Sequence, residues 1–162
     1  MSATPTMPSS ASLLRHTHGP ATLQRTVHAL VISSRREVRK PLVHVLESLA
    51  ADVVTCSTLG QATEVLLHQS FEVVFCDEHL PDGSYADLIH SNHYEQKIPR
   101  VIIATRVGEW EFYFEAMRKG AFDVVRFPWH ATDVEMTVIR ALHEEQAGAP
   151  VLTRPNVAGS LP

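Results

Sequence analysis

Five short apolar runs, separated by longer amphipathic stretches, constrain the fold of this chain more than any other feature. The runs cover residues 28–32, 52–56, 71–76, 101–104 and 123–127. Each is nearly continuous in apolar residues, which is typical of strands buried on both faces of a parallel sheet. The intervening stretches have the apolar spacing of helices, as right-handed crossovers require. We therefore predict an α/β fold, with a doubly wound five-stranded parallel sheet between two layers of helices.

Composition divides the chain into one domain and two tails. Residues 1–25 are rich in Ser, Thr, Pro and Ala, and residues 146–162 are rich in Ala, Gly and Pro, compositions that rarely form a packed core. We predict a disordered N-terminal tail over 1–25, one domain over 26–145 and a disordered C-terminal tail over 146–162. Because only the tail follows the last predicted helix, we expect the domain to stand alone.

Charge and hydropathy argue against two classes of partner. The formal net charge is −4, which offers no footprint for nucleic acid, and no run of about 18 apolar residues could span a bilayer. The N-terminus lacks the basic start and apolar stretch of a signal peptide. We expect no nucleic-acid or membrane partner and a cytoplasmic location.

Several local signals mark the helix boundaries. Ser34 follows the first strand and predicts an N-cap, while Pro41 lies inside the same helix and predicts a kink or a later start. The spacing of Thr58 and Gln61 predicts a capping box for the second helix, and a second box is predicted at Thr132. A fourth helix is predicted over 107–119.

Asp77 is the first candidate functional residue, because it ends the third apolar run and is followed by a polar, turn-rich segment. In open parallel sheets, ligands and chemistry gather beyond the carboxyl ends of the strands. A carboxylate at the end of a buried strand is therefore a candidate for chemistry.

The order of elements and several signposts resemble the receiver domain of bacterial two-component response regulators, over about residues 27–143. The signposts are Asp77 with 80–83 (Leu-Pro-Asp-Gly), the approach to the fifth strand at 119–123, and Pro128 just beyond that strand. The resemblance implies a flavodoxin-like (βα)5 fold with strand order 2-1-3-4-5. It also implies that Asp77 accepts a phosphoryl group from a histidine kinase, with Mg²⁺ as the cofactor.

The chain departs from this family at the site itself. Ser33 and Ser34 stand where the family has two carboxylates, and Phe127 stands where it has a lysine. The family's hydroxyl corresponds to Thr105, although an alternative register would place Ala104 there. The family's aromatic residue in the fifth strand corresponds to Val124, so the signalling side chain is altered as well.

Other polar residues complete the predicted pocket. Arg106 follows Thr105, and His79 lies two residues after Asp77, where it could affect access or hydrolysis if phosphorylation remains. A further hypothesis is a phosphate-free polar cluster, in which the serine and threonine hydroxyls and an arginine hold Asp77. The candidate arginines for this pairing are Arg36, Arg106 and Arg126.

Two functions follow from these residues. The first is a stand-alone, atypical receiver that is not an enzyme, uses no cofactor and acts through protein contacts. The alternative is a working phosphoacceptor, phosphorylated on Asp77 by a histidine kinase with Mg²⁺. A flavin-binding or phosphatase-like enzyme is disfavoured, because the segment after the first strand has hydroxyls but no glycine to cradle phosphate.

An aromatic cluster predicts a partner surface. Trp110, Phe112, Tyr113 and Phe114 fall within one predicted helix, and a helix buries only about a third of its circumference. If Tyr113 faces the sheet, Phe112 points well away from it. We predict that Trp110, Phe112 and Phe114 meet a signalling protein, or a second copy through the fourth helix, fifth strand and fifth helix.

No metal site is predicted. The histidine pairs His16 with His18 and His90 with His93 lack the third and fourth ligands of a closed zinc site. Cys56 and Cys76 fall within predicted strands and are expected to be reduced core residues.

Overall fold

Five parallel strands form the central sheet of the computed structural model, which describes residues 26–91, 99–106 and 108–146. The strands are β1 (His28–Ile32), β2 (Asp52–Cys56), β3 (Val73–Asp77), β4 (Arg100–Thr105) and β5 (Asp123–Arg126). Their order in the sheet is β2-β1-β3-β4-β5. The predicted fold class and strand order are confirmed. The predicted tail over 1–25 and residues 147–162 of the predicted C-terminal tail lie outside the described residues.

Within the described ranges, four helices connect these strands and a fifth follows β5. They are α1 (Arg36–Ser48), α2 (Leu59–His68), α3 (Tyr85–His90), α4 (Trp110–Lys119) and α5 (Ala131–Gln146). None of the helices in the described part of the chain is both long and apolar enough to cross a membrane.

The core has one half on each face of the sheet. On one face, α1 and α5 pack against β1 and β3 through residues such as Leu42, Leu46 and Val138. On the other face, α2, α3 and α4 pack through residues such as Ala62, Leu88 and Ala116. Every residue of β3 is buried, so its side chains stabilise both halves of the core at once.

Two helix starts differ from the sequence expectation. Ser34 is exposed and is not the N-cap of α1; the cap residue is Arg35, and the helix begins at Arg36 and continues through Pro41. The predicted box at Thr132 is also wrong, because α5 begins at Ala131 and the side chain of Asp133 accepts a hydrogen bond from the His130 backbone N–H. At Thr58 the predicted N-cap is confirmed, since its side chain accepts from the backbone N–H of Gln61. The reciprocal bond of the predicted box is not made to Thr58, because the Gln61 side chain accepts from the backbone N–H of Ser57.

A short hairpin that the sequence did not predict follows Asp77. Residues His79–Leu80 pair in antiparallel fashion with Gly83–Ser84. Gly83 has a φ of 155°, and a Cβ there would lie 2.6 Å from a methyl carbon of Leu59. L residues with a side chain rarely adopt this φ, so the backbone here favours glycine.

Asp82, at the tip of this hairpin, caps α2 from outside the helix. Its two carboxylate oxygens accept hydrogen bonds from the backbone N–H groups of Leu59 and Gly60, at 2.8 and 2.9 Å. These hydrogen bonds lower the pKa of Asp82 below its ordinary value. The negative charge also complements the positive end of the helix dipole.

The C-terminal ends of α1 and α4 have the same hydrogen-bond pattern, but different residues occupy the position with positive φ. In α1, Ala50 has a φ of 60°, with Ala50 N–H donating to Glu47 O and Ala51 N–H to Leu46 O. In α4, Gly120 has a φ of 106°, with Gly120 N–H donating to Met117 O and Ala121 N–H to Ala116 O. This left-handed end favours glycine, so Ala50 is strained.

We expect Ala50→Gly to stabilise the domain by about 0.5 kcal/mol, because relief of the strain outweighs the greater chain entropy of unfolded glycine. Gly120→Ala, the matched change in the opposite direction, should cost about 1–2 kcal/mol. Urea unfolding at constant m-value measures both changes. A loss of stability in Ala50→Gly would contradict the strain assigned to Ala50.

Asp82→Ala should lower Tm at neutral pH, and the difference from wild type should depend on pH. Because the folded pKa lies below the ordinary value of 3.8, the stabilisation is complete above that value and is lost as pH falls through the folded pKa. Thermal unfolding of both proteins between about pH 7 and pH 2 should show the Tm gap closing below the ordinary pKa. Glu64→Ala, which removes an exposed carboxylate on the same helix, is the control; a gap constant across this range would contradict the capping role.

Candidate functional site

The site lies at the carboxyl edge of the sheet, where β1, β3 and β4 end. Asp77 is the last residue of β3, lies opposite Ala104 of β4 and is 1% exposed. Ser33 follows β1 directly and is equally buried. The parallel arrangement therefore brings residues from distant parts of the chain to one point, as the sequence predicted.

Both oxygens of the Asp77 carboxylate accept hydrogen bonds from the segment after β1. Arg35 donates from Nε to Oδ2 at 3.1 Å and from Nη2 to Oδ1 at 3.0 Å, so the pair is bidentate. The Ser33 hydroxyl donates to Oδ2 at 2.7 Å. The same hydroxyl accepts from the Arg35 backbone N–H at 3.2 Å, so Ser33 positions both partners.

The arginine that holds Asp77 differs from the predicted candidates. Arg36 is exposed on α1, Arg106 pairs with Glu37 at 3.0 Å, and Arg126 is exposed at the end of β5. Arg35 reaches Asp77 because, as the N-cap, it has extended backbone (φ −92°, ψ 111°). A Ser-x-Arg pattern after the first strand was the available sequence signal.

The Arg35–Asp77 pair is partly screened from solvent. The Asp77 side chain is fully buried, whereas the Arg35 side chain keeps 30% of its exposure. The hydrogen bond to Asp77 is the main cause that raises the pKa of Arg35 above its ordinary value. A buried carboxylate requires such a partner, because an isolated charge in the core is strongly disfavoured.

Arg39 braces the same segment from α1. Its Nη1 donates to the Ser33 carbonyl and to the Ser57 hydroxyl, each at 3.0 Å. It therefore ties the end of β1 to the end of β2. Sequence reasoning missed Arg39, although it lies one helical turn after Arg35.

A second set of polar side chains lies around Glu78. The Thr105 hydroxyl, which is buried at the end of β4, donates to Glu78 Oε2 at 2.7 Å. His79 Nδ1 lies 3.6 Å from Glu78 Oε1, and the His79 side chain is largely exposed. The structure thus places Thr105 at the edge of the sheet, with its hydroxyl donating to Glu78. Ser34 is exposed and, in the described part of the chain, is not among the side chains that donate hydrogen bonds to Asp77.

Phe127 forms an apolar boundary to the site. Its ring packs edge-to-face on Trp129, with centroids 5.1 Å apart, and the Arg106 guanidinium lies 5.5 Å from its centroid. Phe127 N–H donates to the Thr105 carbonyl at 2.7 Å, which fixes the end of β5 beside β4. The Phe127 ring therefore brings apolar surface to the end of β5, next to the backbone of Thr105.

The aromatic residues of α4 separate into two groups. Trp110 and Phe114 are 72% and 65% exposed. Phe112 packs against the core and meets Tyr85 edge-to-face at 5.9 Å, so the prediction that it points away from the sheet is wrong. The buried stripe of α4 runs through Phe112 and Ala116, four residues apart, which turns Phe114 outward.

Magnesium is the cofactor that the resemblance implies, and these residues do not fit it. The Arg35 guanidinium occupies both oxygens of Asp77, and serines stand where carboxylate ligands would be needed. Within the described residues, no group of three or more His, Cys, Asp and Glu side chains could hold a metal ion. No metal-dependent step follows from this geometry.

Comparisons with known proteins agree with the fold. No protein-family model matches the chain. Response regulator protein PilR of Pseudomonas aeruginosa is 28% identical over 131 residues, a match that covers 78% of this chain and 29% of PilR. The chain therefore spans less than a third of this curated relative.

Solved receiver domains superpose on the described chain. The beryllofluoride-activated NtrC4 receiver domain dimer has a TM-score of 0.66 at 24% identity, over 72% of this chain and 97% of that one. The signal receiver domain of an HD domain-containing protein from Pseudomonas fluorescens has a TM-score of 0.68 at 20% identity, over 78% and 94%. The predicted receiver fold is confirmed.

We expect Arg35→Met to destabilise the domain by about 1–3 kcal/mol, because it leaves the buried Asp77 carboxylate with Ser33 as its remaining side-chain donor. Asp77→Asn should also destabilise, and the double variant should cost less than the sum of the two. Urea unfolding of all four proteins gives the coupling free energy. Arg36→Met is the matched control and should change stability by less than about 0.5 kcal/mol. Additive effects would show that the pair contributes no net coupling.

Proposed function

We propose that this chain, a receiver domain of the response-regulator type, signals through protein contacts that do not depend on phosphorylation of Asp77. It has no catalytic activity of its own in this proposal. The observation that carries it is the closed set of hydrogen bonds from Arg35 and Ser33 to both carboxylate oxygens of Asp77.

Phosphoryl transfer to a carboxylate needs an available oxygen nucleophile and cations that offset the charge of the phosphoryl group. Here the bidentate guanidinium lowers the availability of both oxygens. Phe127 provides no cation at the place where the family has its lysine, and Ser33 provides no anionic ligand for a metal. These three features therefore disfavour phosphoryl transfer to Asp77.

The Arg35–Asp77 pair takes on a structural role in this proposal. It ties the end of β1 to the end of β3 and holds the first turn of α1 against the sheet. The Arg35 guanidinium, a cation of the chain itself, takes the place that a bound cation has at this edge in other receivers.

One observation favours a second candidate, the working phosphoacceptor with a histidine kinase as partner. The Arg35 side chain is 30% exposed, so it could turn from the carboxylate to an incoming phosphoryl group. Arginine binds phosphate in the same bidentate manner as carboxylate. In this candidate Arg35 would supply the charge that a metal and a lysine supply elsewhere.

Output in either case would pass through the face formed by α4, β5 and α5. The exposed large apolar side chains on this face are Trp110, Phe114, Met136 and Ile139. Exposed apolar clusters of this kind commonly mark contact surfaces. The partner would be a signalling protein or a second copy of the chain; the NtrC4 receiver of similar fold was solved as a dimer.

Intact-protein mass spectrometry after incubation with acetyl phosphate and Mg²⁺ tests the proposal. We expect no phosphoryl adduct on the wild-type chain under conditions that modify a receiver with an intact acidic pair. Asp77→Asn is the control for the acceptor, and Arg35→Gln keeps polar bulk while removing the charge.

An adduct that requires Asp77 and Mg²⁺ would refute the proposal and establish the phosphoacceptor. Loss of that adduct in Arg35→Gln would then assign the phosphoryl contact to Arg35. An adduct that appears only in Arg35→Gln would show that the guanidinium itself blocks the acceptor, which supports the proposal.

A further inference from the structure

The strand β2 lies at one edge of the sheet and pairs with β1 along one side only. The Asp52 N–H donates to the Val27 carbonyl at 2.8 Å, and the Cys56 carbonyl accepts from the Ser33 N–H at 2.9 Å. Alternate residues of a strand bond to the same neighbouring strand. The even-numbered residues of β2 therefore direct their backbone groups toward β1, and the odd-numbered residues direct theirs away from the sheet.

The odd-numbered residues, Val53 and Thr55, form an open side of the strand. Their backbone N–H and C=O groups make no hydrogen bond with another loop or helix in the described part of the chain. The open side ends at Ser57, whose N–H donates to Gln61 Oε1 at 2.9 Å. Two backbone donors and two backbone acceptors are thus available to another strand.

The edge at β2 lacks most of the features that protect edge strands. Its sequence has three β-branched residues in a row, no Pro and no Lys, and its register with β1 runs over the whole strand without a bulge. The one charged residue is Asp52, at the start. By contrast, the other edge strand, β5, has a charge at each end, at Asp123 and Arg126, and is followed by Pro128. An unprotected edge such as β2 is a template for a strand from another chain.

An open pocket lies at the start of this edge, on the α2 side of the sheet. Its volume is about 230 Å³, and it is lined by His28, Asp52, Val54, Gln69, Ser70 and Phe71. A cavity of about 150 Å³ holds a benzene molecule, so this pocket has room for a long side chain. Val54 and Phe71 belong to the apolar cluster beneath it and provide a wall that methylene groups can contact.

The rim of this pocket is negatively charged. The Asp52 side chain is 65% exposed, and its carboxylate lies 3.4 Å from His28 Nδ1. The Glu72 carboxylate is close by, since its Oε2 accepts from the His28 backbone N–H at 2.8 Å. No Lys or Arg is among the described residues that line the pocket. A lysine or arginine side chain, with an apolar stem and a cationic head, complements both the wall and the rim.

We infer that the open edge of β2 binds an extended strand of a partner protein, with a lysine or arginine of that strand in the pocket beside Asp52. The added strand is antiparallel, as edge strands on otherwise parallel α/β sheets commonly are. Its backbone groups bond to those of Val53 and Thr55, and its alternate side chains lie beside Asp52 and Val54. This surface is separate from the face formed by α4, β5 and α5 and does not involve Asp77.

A second copy of this chain does not offer the charge that the pocket requires. Two β2 edges could pair about a two-fold axis at Val53, Val54 or Thr55. Position 54, 56 or 58 of the other copy would then lie opposite Asp52, and these positions are Val, Cys and Thr. None of these side chains is basic, so charge complementarity favours a different protein as the partner.

An NMR titration of the isotope-labelled full chain with the peptide acetyl-Lys-Thr-Val-Thr-Lys-amide tests the inference. We expect chemical-shift changes centred on residues 52–56, slower amide hydrogen exchange at Val53 and Thr55, and a dissociation constant of about 1 mM or lower. N-methylation of the two peptide threonines removes the donors for the Val53 and Thr55 carbonyls. It should raise the dissociation constant roughly tenfold or more.

The charge in the pocket is tested with the same peptide carrying norleucine at both lysine positions. This peptide should bind about three- to fivefold more weakly, the scale of one exposed ion pair. Asp52→Asn should reduce the affinity for the lysine peptide to that level and leave the norleucine peptide unaffected. Glu109→Gln, which removes an exposed carboxylate at the start of α4, is the matched control and should change neither affinity.

A proline substitution tests the edge from the protein side. Val53→Pro removes one outward donor while β2 keeps its hydrogen bonds to β1, because proline is tolerated in an edge strand where its N–H would face solvent. We expect the shift changes at 52–56 to be lost with the circular dichroism spectrum unchanged. The N-methylated peptide tests the same contact on the wild-type chain, so the inference stays testable even where Val53→Pro does not fold.

Three results would each overturn the inference. They are the absence of shift changes at 52–56 with the lysine peptide, equal binding of the N-methylated and unmodified peptides, and equal binding of the lysine and norleucine peptides. The acetyl phosphate assay reads Asp77 and does not depend on β2. Failure of strand addition and failure of phosphorylation-independent signalling are therefore distinguished.

Discussion

A carboxylate buried at the end of the central strand must have a counter-charge, and this requirement organises the functional edge of the domain. Asp77 ends β3, whose residues are all buried, so water cannot stabilise its charge. Arg35 and Ser33 meet the requirement from the segment after β1. The start of α1 follows from it, because Arg35 remains extended to reach Asp77 and the helix begins one residue later. Arg39 then fastens the same segment to β2.

Much of the fold could be predicted from the sequence because its strands are encoded locally. Runs such as 73–76 are apolar on both faces, and that pattern predicts a buried parallel strand without reference to the rest of the chain. The cap at Thr58 is encoded within one helical turn and was also predicted. The capping of α2 by Asp82 was not predicted, because Asp82 lies 23 positions after Leu59 and 22 after Gly60 in the chain. The contact therefore depends on the geometry of the hairpin.

The candidate site was predictable in its location and only partly in its contacts. Asp77, Ser33 and Thr105 are found at the predicted edge, since strand ends fix backbone positions. Which arginine reaches Asp77 depends on where α1 begins, and helix boundaries shift by one or two residues with small differences in capping. The prediction for Phe112 was wrong for a related reason. Whether Phe112 or Tyr113 faces the core depends on the rotation of α4 about its axis, which the apolar periodicity alone does not define.

The loop after Asp77 is fastened at several points along its length. Glu78 accepts from Thr105, Asp82 binds the first turn of α2, and Asp87 closes a capping box with Ser84. A loop held in this way has already lost most of its conformational entropy in the folded monomer. A protein that binds this edge of the sheet would meet a preformed surface, and little of its binding free energy would be spent on ordering that surface. The domain would then distinguish partners by shape at this edge, as a rigid template does, even when no chemical change takes place on Asp77.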